Sequence, residues 1–351
     1  MAGLSLVELM ISIALGLIVL SSVIGVFVNT SAARTELERT SRQIENGRYA
    51  VDLLTDDLRL GGFYGELKVL SVARPGALPD PCSTATADWS SAIPIHIQGY
   101  HNGAGAPSCM PTNVKANTDI LVVRRAATCV AGSGGAGSGC EAAIAGTPYL
   151  QVSLCSTETT TPYRLGIQGT ATFDRTIKDC AAAAGRRQYL VHIYYISNDN
   201  GAVPPVPVPT LKRRELTGAA FVEVPLVEGI ENLQIEYGVD YKNNVGPYAV
   251  TDDDSKRDGI ADAYTADPTT FAAADCPTTT CTAVNNWSNV VTVRLYLLAR
   301  NIDPSPAYTD TKTYTLGHDS TFTPPSGDHY RRHIYTSLVR IMNPAGRRDT
   351  P

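Results

Sequence analysis

One carboxylate, Glu8, stands immediately before 25 consecutive residues, 9–33, that carry no charge and are mostly apolar. As a helix with a rise of about 1.5 Å per residue, such a run covers about 37 Å, against about 30 Å of bilayer hydrocarbon. It is long enough to span a membrane. An ionised glutamate at the edge of a membrane segment is costly in isolation, so Glu8 predicts a cationic partner that lipid does not supply. A secretory signal would need a basic leader, a core of roughly 7–15 apolar residues and a small-residue cleavage site. Here the run is longer, and only uncharged residues precede Glu8. Ser12, Gly16, Ser21, Ser22 and Gly25 along the run would let neighbouring helices approach closely.

Beyond Ala33 no breaker interrupts the helical pattern until Gly61-Gly62. Leu37, Ile44, Val51 and Leu58 recur every seven residues, with Leu54 on the same side, and charged residues fill the other positions. The pattern predicts one long helix with an apolar half over 4–33 and an amphipathic half over 34–62, the stripe packing on a globular head.

From residue 63 to 351 the chain changes character. Short runs rich in Val, Ile, Leu and Tyr alternate with Gly, Pro, Asn and Asp, the signature of β-structure. The clearest predicted strands are 120–124, 189–197, 221–224, 232–241, 290–299 and 333–342. Residues 132–139 form a Gly/Ser/Ala loop, and 203–209 read as a Pro-rich extended piece. The expected class is α+β: a long N-terminal helix laid on an antiparallel sheet.

Two resemblances sharpen this. Gly3-Leu4-Ser5-Leu6-Val7-Glu8 resembles the processing site of type IV prepilins, in which a peptidase cuts after Gly and leaves Glu at the fifth mature position. The match implies a leader over 1–3, cleavage between Gly3 and Leu4, and N-methylation of Leu4. It also implies that Glu8 neutralises the N-terminal amine of a neighbouring subunit during assembly. The family usually has Phe where this chain has Leu4, and Lys or Arg in the leader where this chain has Met1-Ala2. Further on, Glu45-Asn46-Gly47-Arg48-Tyr49-Ala50, the stretch 211–241, Trp287 through Arg300 and Tyr330-Arg331-Arg332-His333-Ile334-Tyr335 resemble the PilW family of minor pilins. That likeness implies a pilin-like fold and a single-pass protein of the bacterial inner membrane with a periplasmic head. It implies a place at the pilus tip in an initiation complex with other minor pilins, the major pilin and a large tip adhesin. The related alternatives are a J-type minor pseudopilin of a type II secretion system and a membrane-anchored adhesive or DNA-binding module.

The eight cysteines all lie beyond the apolar run, where an exported head meets an oxidising compartment. Roughly a hundred pairings are open to eight cysteines. Neighbour pairing is expected, Cys82 with Cys109, Cys129 with Cys140, Cys155 with Cys180 and Cys276 with Cys281, because each pair closes a loop with little apolar content. Asp252, Asp254, Asp258 and Asp262 read first as a solvated acidic turn and second as Ca²⁺ ligands, since closely spaced carboxylates supply the oxygens Ca²⁺ takes. Lys256 and Arg257 stand where an EF-hand has donors. His329 and His333, four apart, read as ordinary histidines. The Arg-Arg pairs read as solvated faces, and a net charge of -5 argues against nucleic acid as a partner. With none of the common nucleophile, phosphate-loop or H-E-x-x-H motifs, no cofactor and no catalysis are expected.

Overall fold

The computed structural model describes residues 5–69, 72–135, 138, 140–160, 162–218, 220–242, 257–272, 276 and 280–346. Helix α1 runs unbroken over Leu6–Arg59, 54 residues, which is about 80 Å at the helical rise. It stops just before the glycine pair Gly61-Gly62. Gly62 takes a positive φ of 72°, a cheap conformation for glycine alone, and its amide donates to the Arg124 carbonyl at 3.0 Å. The helix end is thereby fastened to the head.

After the short helix α2 (Thr86–Ala92) the head is built from two antiparallel sheets and a hairpin. The first sheet contains β1 (Ile97–Tyr100), β2 (Ile120–Ala126), β3 (Pro148–Val152), β4 (Tyr163–Ile167), β5 (Arg186–Ser197), β6 (Thr210–Thr217) and β7 (Ala220–Glu228). Its backbone order is β1-β2-β5-β3-β4, with β6 branching from β5 and β7 continuing from β6. The second contains β8 (Ile230–Val239), β9 (Ala263–Thr265), β10 (Val290–Arg300) and β13 (Arg332–Arg340), in the order β13-β10-β8-β9. Helix α3 (Ala283–Ser288) precedes β10, the strands β11 (Tyr314–Leu316) and β12 (Ser320–Phe322) pair as a hairpin, and α4 (Met342–Gly346) follows β13.

The main core lies between the sheets and under α1. Leu121, Val123, Tyr194 and Ile196 from the first sheet meet Leu233, Ile235, Tyr237, Val293 and Leu295 from the second, with Ala50, Leu54 and Leu58 of α1 closing the layer. The alternate residues Ile120, Val122, Val191 and Ile193 face a second core roofed by Tyr64, Trp89 and Ile93. The first sheet is therefore covered on both faces, which is why β2 and β5 read as continuous apolar runs instead of alternating ones. A small third core, Leu298 with Tyr314 and Leu316, backs the second sheet.

The heptad stripe is only partly the buried face. Leu58 and Leu54 are fully buried, but Ile44 is 38% exposed and Leu37 is 70% exposed. A seven-residue repeat drifts by about 20° per heptad on a 3.6-residue helix, so the stripe rotates off the head toward the membrane end. The face that touches the head there is Gln43, Gly47 and Ala50.

All four disulfides join sequence neighbours: Cys82 to Cys109, Cys129 to Cys140, Cys155 to Cys180 and Cys276 to Cys281. The first holds the segment between α2 and β2, and the second and third staple loops around β3 and β4. The Pro-rich piece 203–209 lies outside the strands, between β5 and β6.

Candidate functional site

Two surfaces of α1 matter: the half that the head leaves bare, and the seam that fixes the other half. Glu8 sits in the first turn of α1, where the positive end of the helix dipole favours a carboxylate. Among the described residues no basic side chain pairs with it. From Leu6 to Val28 the large apolar side chains are all more than half exposed, and the head covers none of the apolar window. A patch of this size needs lipid or other helices over it. This is the one described helix long and apolar enough to cross a membrane. Gly3 and Leu4, the residues flanking the cleavage position, lie outside the described residues.

Two of the seam residues are poor helix formers. Asn46 and Gly47 in a helix interior each cost stability relative to Ala, and here each is used by the head. The Gln43 side-chain amide donates to the carbonyls of Ala299 (2.9 Å) and Arg331 (3.1 Å), and that of Asn46 donates to the Glu228 carbonyl at 3.0 Å. The ring of Tyr335 in β13 lies directly on Gly47, in the space a Cβ would occupy. Nearer the membrane end, the Glu36 carboxylate accepts from Ser305 Oγ at 2.9 Å and from Arg331 Nε at 2.5 Å. The loop between β10 and β13 thus grips α1 one turn past the uncharged run.

At the other end of the seam Asp57 is buried. It accepts from Arg125 Nε (2.6 Å), His192 Nδ1 (2.8 Å) and the Tyr194 hydroxyl (2.9 Å). Burial alone would raise its carboxyl pKa, but His192 and Arg125 outweigh that and hold it well below the usual carboxylate range. Tyr194 moves the other way, raised by burial and by Asp57. The polar contacts fix the azimuth of a helix end that apolar packing alone would leave free to roll.

The arginine pairs are not uniformly solvated faces. Arg124 is buried and donates to the Ile95 carbonyl and to Gln98 Oε1, both at 2.9 Å. The Arg332 guanidinium is fully buried and pairs with Glu231 (2.5 Å), Asp310 (2.9 Å) and Asp328 (2.8 Å). It anchors the start of β13 to the gripping loop. The expectation failed because an Arg-Arg dipeptide says nothing about carboxylates that arrive from elsewhere in the chain.

The remaining sequence candidates are dispersed. His329 precedes β13 and its Nδ1 donates to the Tyr308 carbonyl at 2.5 Å, whereas His333 lies within β13, exposed, edge-on to Tyr335 at 4.7 Å. Asp252 and Asp254 lie outside the described residues. Asp258 accepts from the Ile260 amide at 2.9 Å, and Asp262 from the amides of Tyr241 (2.8 Å) and Lys242 (2.9 Å), so both are engaged in backbone turns. Among the described residues no group of three or more His, Cys, Asp or Glu is placed to hold a metal ion.

A bare apolar helix half continues into a half built into an α+β head, a pilin-like arrangement. Residues 193–343 match the family model for type IV pilus-assembly protein W, PilW. The matched stretch contains Tyr194, Ala299, Ser305, Arg331 and Tyr335, head residues that hold α1. A solved structure, the type IV-like pilin TTHA1219 from Thermus thermophilus, is similar over 67% of this chain and 82% of its own, at 14% identity and a TM-score of 0.24. No curated protein sequence matches the chain.

Proposed function

We propose that the protein is a minor pilin, a structural subunit of a type IV pilus tip or initiation complex. In this reading the leader 1–3 is removed after Gly3, and residues 4–33 store the subunit in the inner membrane with its head in the periplasm. Residues 34–62 fix that helix to the head, 63–351. On assembly the bare helix half leaves lipid for a bundle of like helices. There Glu8 meets the N-terminal amine of a neighbour, and contacts with other minor pilins and a tip adhesin follow from that position.

The observation that carries the reading is the combination at α1: a carboxylate with no basic partner among the described residues opens an apolar half that the head leaves bare. A plain membrane anchor needs only the apolar half. A charge at that depth is retained where it has a partner.

The test is Glu8→Val in the native organism. Membrane insertion and leader removal should persist, while co-purification with other pilins and the number of surface pili fall. Unchanged pilus number together with unchanged co-purification would refute the assignment.

A further inference from the structure

A groove of about 330 Å³ runs between the exposed side of α1 and strand β13. Ile44 and Arg48 form the helix wall, His333 and Tyr335 the floor, and Lys312 and Arg331 the opposite rim. Among the described residues no carboxylate lines it. Arg331 pairs with Glu36 at its back yet keeps a side chain 43% exposed. Arg48 and Lys312 are exposed, and among the described residues no carboxylate pairs with either side-chain charge, although the Lys312 backbone amide donates to Asp310 at 3.2 Å.

The groove also borders an open sheet edge. Among the described residues β13 is the last strand of its sheet and pairs with β10 alone, the arrangement of an edge strand with backbone groups open to a partner. An extended chain laid along that edge would direct alternate side chains toward α1 and into the groove.

We infer that this groove receives an extended acidic segment of another protein, its carboxylates meeting Arg48 and Lys312 while its backbone pairs with β13. A nucleic acid would meet the same cations, but the chain as a whole carries a net charge of -5, which repels a long polyanion beyond the groove itself. An acidic peptide presents its charge only locally. The inference stands on the groove alone and does not depend on Glu8, so a Glu8→Val chain should retain the binding.

The experiment uses the full chain in detergent micelles and a short fluorescein-labelled peptide of alternating glutamate and threonine, read by fluorescence anisotropy. Saturable binding is expected, weakened about tenfold or more by Arg48→Glu with Lys312→Glu, and unchanged by Arg59→Glu elsewhere on α1. A lysine-threonine peptide, or the acidic peptide with proline in place of threonine, should fail to bind. Equal binding by the double variant, equal binding of either control peptide, or tighter binding of a single-stranded oligonucleotide would each overturn the inference.

Discussion

Gly47 of α1 and Tyr335 of β13 meet ring to backbone, with the tyrosine occupying the volume that any side chain at 47 would need. The two residues are far apart in the chain, yet each explains the other. Glycine is tolerated in a helix interior, at a cost of about 1 kcal/mol relative to Ala, because the ring seats there and pulls β13 against the helix. Gly47→Leu should therefore destabilise the head by roughly 1–3 kcal/mol through overpacking, seen as a lower unfolding temperature by circular dichroism. A leucine accepted without loss would mean that helix and strand are not in contact at this point.

Asp57 makes stability depend on acid. Its folded pKa lies below the ordinary 3.8, so its contribution is complete above the unfolded value and is lost as pH falls through about 4 toward the folded one. Unfolding temperature measured across that range should drop steeply for the natural chain and less for Asp57→Asn. At neutral pH Asp57→Ala should cost about 3–5 kcal/mol, because it leaves Arg125 and His192 without their shared acceptor.

Arg332 is a second point where removal is worse than replacement. Arg332→Ala would leave Glu231, Asp310 and Asp328 facing one another in a buried site. A loss of about 3 kcal/mol or more is expected. Limited proteolysis should then cut the loop between β10 and β13 earlier than in the natural chain, since Arg332 ties that loop down.

The disulfides should contribute unequally. Cys82 and Cys109 are 27 residues apart, whereas Cys276 and Cys281 are 5 apart. Loop-closure entropy makes the longer crosslink worth about 1.5 kcal/mol more. Paired Cys→Ser variants compared by denaturant midpoint would measure this, and equal losses would show that strain or residual structure dominates.

Processing makes a separate prediction. Mass spectrometry of the mature protein should find a methylated Leu4 at the N-terminus. An intact Met1 would show that the resemblance at Gly3 does not extend to processing.

Much of the head was legible because its signals are local. The runs at 120–124, 189–197 and 290–299 became β2, β5 and β10, and Gly61-Gly62 ended the helix. β1, β3 and β4 were missed, being 4 or 5 residues long, too short for a periodic pattern to stand out. Gln43 and Asp57 were missed for another reason. Their partners, Ala299 and His192, lie 256 and 135 residues away, and no window along the chain brings them together. Asn46-Gly47 was the one available hint, two poor helix formers placed mid-helix.

By itself, the sequence determined that this chain would have an uncharged helix of membrane length opened by Glu8, a glycine stop, and a β-rich head. Composition and short-range periodicity are enough for that, because hydrophobic length and backbone freedom act residue by residue. Only the tertiary structure decided which face of α1 is buried, that Arg124 and Arg332 lie inside, and that Arg48 and Lys312 share a groove. Those outcomes depend on which charges and rings the packed sheets bring together, and that is set by the register of strands distant in the chain.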